Sequence, residues 1–371
     1  MEKPVLKMSY GKQKNNMNAN PPPYHLKTNK AIDRFLLLEL LKNISDYSQY
    51  EYIGFGGPYL EDFKLFQHYY PEISLTSIEK DNDIYKRQRF HKISSTIRLI
   101  RRDVDYFFEK IYSAKKKAIV WLDYTDLSEE NFSNFQNVLQ KVPLGSVVKF
   151  TTKAELPDKT FYDFRDKLLE SMRQSSRENL WPKDILPQIE QIVKDSLVNR
   201  SAEVKIREAL NELVDSELDF ASTDKEDFCK LLVSAINTAA QKALYGYSHK
   251  RFQILHTCYY TDMTLMLSVT GVCFDPEHRD EWLAPFQNYK FLFDETLDEI
   301  QKIDVPILSI KERLLLEEHL PCKYKKTEDI GRFLGSILSY PLGRSKERHQ
   351  TQLALYNDLH NYYPVFLKIF T

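Results

Sequence analysis

Apolar positions along this chain switch repeatedly between two periods, and the switches mark out its elements. From Thr28 they recur at helical spacing, at Ile32, Phe35, Leu36, Leu40 and Leu41, with Thr28 or Asn29 as N-cap, and predict a helix to about Ile44. Glu51 to Ile53 reads as a short strand that breaks into Gly54, Gly56 and Gly57, then into an amphipathic helical segment carrying Phe63, Leu65 and Phe66. Ser74 to Ile78 reads as a second strand, closed by Glu79-Lys80-Asp81, and Asn82 to Lys92 as a helix. A third strand, Thr96 to Ile100, ends in Arg101-Arg102-Asp103, and helical spacing resumes from Val104 to Ile111. Ala118 to Leu122 is almost continuously apolar, the mark of a strand covered on both faces, and runs into Asp123-Tyr124-Thr125-Asp126. Residues 128–141 predict a helix and Gly145 to Thr151 a fifth strand. Later, Phe252 to Tyr260 and Thr264 to Phe274 form two β-rich runs around Thr261-Asp262-Met263, a hairpin pattern.

Strands alternating with helices predict an α/β fold: a doubly wound, mostly parallel sheet with an antiparallel hairpin closing it. Around that core, at 28–155 and 251–275, the pattern predicts a polar leader (1–27) ending in Pro21-Pro22-Pro23. It also predicts a helical insertion (156–250) over the carboxyl edge of the sheet, and a helical C-terminal extension (276–371). The extension includes helices at Ser309 to Leu320 and Thr327 to Leu338.

Composition narrows the class. A hydrophobic share of 42% and a charged share of 28% over 371 residues describe a globular protein, and a formal net charge of -1 provides no overall field to steer it onto nucleic acid or an acidic membrane. Cys229, Cys258, Cys273 and Cys322 are scattered, with no CxxC pair and no His at metal-ligand spacing, so neither a zinc site nor a disulfide scaffold is indicated. No apolar run reaches membrane-spanning length, and a cytoplasmic protein is expected. His256, inside a predicted strand, reads as a packed residue, and Trp181-Pro182 as an anchor within the insertion.

Candidate chemistry collects at strand ends. Glycines let a backbone turn sharply and approach a ligand, and Gly54-Phe55-Gly56-Gly57 sits between a strand and a helix, as a nucleotide cradle would. Glu61 and Asp62 in the next helical turn would repel a phosphate, which points to a cationic, nucleoside-like ligand. The third glycine of a dinucleotide fingerprint would fall at Tyr59, which argues against a redox dinucleotide. Glu79, 25 positions after Gly54, stands where doubly wound folds place a ribose-binding carboxylate. Asp103 and Asp123 also follow strands.

The order glycine loop, acid after strand two, acid after strand three and Asp-Tyr after strand four resembles the class I S-adenosylmethionine-dependent methyltransferases, a Rossmann-like family. Residues 29–155 and the hairpin carry the likeness. The resemblance implies that Gly54, Phe55, Gly56 and Gly57 line the methionine part of S-adenosyl-L-methionine, that Glu79 binds its ribose and that Asp103 sits near its adenine. It places Asp123 at the methyl group, as base for an oxygen acceptor, with Tyr124 lining the transfer site and Asp126 second in line; Asp126 also reads as N-cap of the next helix. A lysine-rich site would disfavour the sulfonium. Two departures stand out: Tyr52 occupies the place where the family usually has an acid two residues before the first glycine, and the motif after strand four is not the Asn-Pro-Pro-Tyr of amino-methylating enzymes.

Two functions of different kinds follow. The first is a methyltransferase, acting on oxygen, with an unidentified acceptor. The second is a catalytically inactive methyltransferase-like subunit that binds a nucleoside ligand or a protein or nucleic-acid partner through the insertion, the extension, or Arg101 and Arg102. Lys115 to Lys117, on the side away from the ligand edge, reads as a solubility feature.

Overall fold

A computed structural model describes residues 27–157, 202–214, 219–220, 222–294, 299–324, 326–338, 340–342 and 345–364. The polar leader before residue 27, most of the expected insertion with Trp181-Pro182, and the tail after residue 364 lie outside the described residues.

Eight strands form one sheet in the order β3-β2-β1-β4-β5-β7-β6-β8. The first five are β1 (Tyr50–Gly54), β2 (Ser74–Ile78), β3 (Ile97–Ile100), β4 (Lys117–Asp123) and β5 (Val147–Lys153), all parallel. β6 (Arg251–Thr261) and β7 (Leu265–Phe274) form the hairpin; β7 inserts antiparallel between β5 and β6. β8 (Gln301–Ile303), which the sequence pattern does not announce, extends the edge parallel to β6.

Helices α1 (Thr28–Leu41), α2 (Glu61–Tyr69), α3 (Asn82–His91), α4 (Val104–Lys110) and α5 (Glu129–Lys141) alternate with the first strands. β4 shows why two layers are needed. Ala118, Val120 and Leu122 point into a core with Phe132 and Phe135 of α5, while Ile119 and Trp121 point into the opposite core with Leu37 of α1 and Phe63 of α2. The helix Lys225–Ala243, from the C-terminal part of the expected insertion, packs on α5, β6 and β7 and contributes Phe228, Leu232 and Ile236 to the first of these cores. A third core joins Ile32 and Leu36 of α1 to Tyr260, Ile303, and Leu334, Leu353 and Tyr356 of the C-terminal helices Thr327–Leu338 and Lys346–Leu359.

α1 is not a one-sided helix. Its polar residues Asn29, Asp33 and Arg34 are as buried as its leucines. Its start is not capped by its own Thr28 or Asn29, as the sequence suggests: Asp262, in the hairpin turn, accepts from the main-chain nitrogens of Asn29 and Lys30 at 3.3 and 3.0 Å. The β6–β7 turn thus fixes the first turn of α1 at the carboxyl edge of the sheet. No helix among the described residues is long and apolar enough to cross a membrane.

Candidate functional site at the carboxyl edge

The glycine loop is held from both ends. Gly56 has φ +68° and Gly57 φ +52°, the left-handed region that favours glycine. A Cβ at Gly56 would also stand 2.7 Å from Leu60 Cδ2 and from Phe63 Cε2, so the loop lies directly on α2. From the other side Gln88 of α3, fully buried, donates from Nε2 to the carbonyls of Phe55 (2.6 Å) and Gly57 (3.0 Å). Ser77 at the end of β2 adds a hydroxyl 3.1 Å from the Phe55 carbonyl. Sequence reasoning missed Gln88: in a helix of Asn, Lys, Arg and Gln nothing distinguishes the one side chain that turns inward.

A cavity of about 350 Å³ opens along the ends of β1 to β4. It brings together Phe55, Gly57, Glu79, Asp103, Asp123, Tyr124 and Asp126, residues from four separate loops. Gly54 and Gly56 do not line it; they stand behind it and shape the loop.

Each acid has a distinct setting. Glu79 accepts from the Asp81 main-chain nitrogen at 2.7 Å, and burial raises its pKa above that of an ordinary glutamate. Asp103 caps α4, accepting from the Tyr106 nitrogen at 2.7 Å. Asp126 is not the N-cap of α5: Ser128 holds that position, while Asp126 takes Asn131 Nδ2 on its side chain (3.3 Å) and Thr152 Oγ1 on its carbonyl (2.8 Å). The physical reason is spacing, since the free nitrogen of Asn131 lies three residues after Ser128.

Asp123 is the most constrained. Its Oδ2 lies 2.6 Å from Nζ of Lys30, and its Oδ1 is buried without a hydrogen-bond partner. Burial on its own would lower the Lys30 pKa, but the Asp123 charge and hydrogen bond outweigh it, and the ammonium is held above its usual value. α1 thus delivers one cation to Asp123, which pattern reading could not foresee because the two residues are 93 apart in sequence. Beside it, the Tyr124 ring meets Phe55 edge-on at 5.3 Å and lies 5.7 Å from Phe150. Burial pushes the Tyr124 hydroxyl far up, so it is a donor and not a base, and it gives its proton to Asn134 Oδ1 at 3.1 Å once that amide faces Asp105 with its nitrogen.

Two further residues support the floor. Tyr52, fully buried, stacks on Phe66 at 3.9 Å and leaves its hydroxyl without a partner. Arg34 of α1 forms a buried ion pair with Asp62 in the first turn of α2. Arg102, also on the cavity wall, lies over the Tyr106 ring at 5.1 Å. Among the described residues no group of three or more His, Cys, Asp or Glu could hold a metal ion.

Residues 22–371 match the model of a family described as "Putative O-methyltransferase". No curated protein matches the chain. Solved structures similar to it include a "putative transferase" of Pyrococcus horikoshii, 8% identical with a TM-score of 0.34, where the match covers 66% of this chain and spans 64% of that one. The plantazolicin methyltransferase BpumL, with a pentazolic desmethylPZN analog and SAH, is 11% identical with a TM-score of 0.33 over 65% of this chain and 85% of its own. PigF with SAH is 11% identical with a TM-score of 0.32, over 66% and 56%.

Proposed function

From a chain that belongs to the "Putative O-methyltransferase" family, we propose an enzyme that transfers a methyl group from S-adenosylmethionine to an oxygen of a small-molecule acceptor. The observation that carries this reading is the setting of Asp123: its Oδ2 is held by Lys30, and its side chain lines a cavity that also gathers the glycine loop and Glu79.

The residues fit the cofactor. Gly57 lines the cavity without a side chain, which suits close main-chain approach, and Glu79 is a carboxylate able to accept from two ribose hydroxyls. In this reading Phe55 and Gly57 flank the methionine portion, with Gly54 and Gly56 setting the loop's path, and Asp103 borders the adenine. When bound, S-adenosylmethionine supplies a methyl group on a sulfonium sulfur.

The protein's own part is positioning and proton handling. Lys30 orients Asp123 through Oδ2, so that the Asp123 side chain takes the proton of the acceptor hydroxyl as its oxygen forms the bond to carbon. Tyr124, its ring edge-on to Phe55 and its hydroxyl donating to Asn134, walls the transfer site, and Asp126 borders it. The core of residues 28–155 and 251–275 works with the helix Lys225–Ala243 as one packed unit, and a cytoplasmic location suits four unpaired cysteines, three of them buried.

Calorimetric titration with S-adenosylmethionine and S-adenosylhomocysteine tests the reading. Wild type should bind both, and Glu79→Ala should weaken binding about tenfold or more, the loss of a charge-assisted pair. A well-folded wild type that binds neither would refute it.

A further inference from the structure

At the opposite end of the strands, a cavity of about 800 Å³ opens between the segments that lead into β1, β4, β5 and β6. Lys115, Lys116, Lys117, His249 and Lys250 line it, and no acidic residue does. In a chain with 52 basic and 53 acidic side chains, an acid-free cluster of four lysines is a local excess that the overall balance does not predict. Among the described residues none of these lysines is in an ion pair.

The fold uses only some of this charge. Lys250 serves α5, donating to the main-chain carbonyls of Gln140 and Val142 at the C-terminal end of that helix. Lys116 reaches Ser74 Oγ at 2.9 Å. Lys117 lies over the rings of Tyr50 and Trp282, at 5.5 and 5.3 Å. Lys115 has no such task, and it is exposed on the cavity rim. It follows Ala114, which adopts φ +51°, a conformation costly to a residue with a Cβ and one that the structure maintains where the lysine run begins.

We propose that this amino-edge cavity binds a ligand carrying a chain of phosphates. A lysine ammonium is a compact point charge that binds phosphate oxygens, and it is lysine, with no arginine, that lines the cavity. Four lysine side chains line one cavity without an acid, a charge that matches several negative charges in a row and is poorly used by a singly charged anion. The volume is that of a site for a mid-sized organic ligand, and Tyr247 is on its wall. β4 spans seven residues, about 23 Å, between this cavity and the cleft at Asp123, so the two sites are physically separate.

Free oligophosphate and a nucleoside polyphosphate share the phosphate chain, and calorimetry on the full chain distinguishes them. Tripolyphosphate and ATP should both bind at low ionic strength and bind much more tightly than inorganic phosphate. Equal affinity would assign the phosphate chain alone, and a preference for ATP would assign a nucleoside contact as well. The double variant Lys115→Gln, Lys116→Gln should weaken both by about tenfold or more, with the thermal midpoint and S-adenosylmethionine binding unchanged. Affinity that the double variant does not alter, or no binding of either compound, would overturn the proposal. So would a short oligouridylate binding far more tightly than both, which would indicate a nucleic-acid track instead.

Discussion

Glu79 has its own main-chain partner and a raised pKa, and the two together set how it meets a ribose. Burial is the largest cause of the shift, so the folded protein holds the Glu79 proton more tightly than an exposed glutamate would. A protonated carboxyl accepts poorly from a second hydroxyl, and S-adenosylmethionine affinity should therefore fall on acidification, with a midpoint above the ordinary glutamate value of 4.5. Glu79→Gln should bind weakly at every pH, with no such midpoint; a wild-type profile as flat as the variant's would remove Glu79 from the site. The sign for stability is the reverse, since a raised carboxyl pKa means folding is favoured below it and loses that contribution as pH rises. Glu79, Asp103 and Asp123 were legible in the sequence because each ends a strand whose period is plain. Lys30 was not, because its importance comes from a contact across 93 residues with Asp123.

Elements show the same division. Strands β1 to β7 and helices α1 to α5 follow from apolar spacing to within a few residues. β8, three residues long, carries too little pattern to be read. The helix Lys346–Leu359 was also unread, because its buried Leu353, Ala354 and Tyr356 lie among many polar positions. α3 is the instructive case. It reads as a solvated helix, with Gln88 as its buried residue, yet that one side chain ties α3 to the glycine loop. Gln88→Leu would leave two inward-facing carbonyls with fewer donors, at a cost of about 1–3 kcal/mol each where water cannot replace them. S-adenosylmethionine affinity should fall while the melting of the rest of the fold changes modestly. Restored binding in Gln88→Asn is not expected, since the shorter amide cannot reach both carbonyls. Unchanged affinity in Gln88→Leu would show that α2 alone fixes the loop.

For the molecule as a whole, the question is what holds α1 across the sheet so that Lys30 reaches Asp123. Asp33, wholly buried, accepts from Lys149 Nζ at 2.6 Å, Ser268 Oγ at 3.1 Å and Cys258 Sγ at 3.2 Å, and so joins α1 to β5, β7 and β6 at one point. Lys149, 1% exposed, lies in the middle of a parallel strand, where its type alone would predict a surface. Burial by itself would raise the Asp33 pKa, but the Lys149 charge and hydrogen bond reverse it, and the carboxyl lies below its ordinary value. Its stabilising contribution is therefore complete above the unfolded pKa and is lost only as pH falls through the lower folded one. His256 nearby, driven down to about 4 by burial and then by Lys149, is neutral above that pH and adds no competing charge there. Removing one partner leaves the other charge buried, so Lys149→Met and Asp33→Leu should each cost about 3–5 kcal/mol in urea denaturation. Replacing both with apolar groups removes the orphan charge, and the double variant should be much more stable than the sum of the single losses predicts. Strictly additive losses would show that the pair does not act as a unit. Recovery of stability in the double variant without recovery of cofactor binding would separate the two roles of α1, since the packing would be restored while the placement of Lys30 was not.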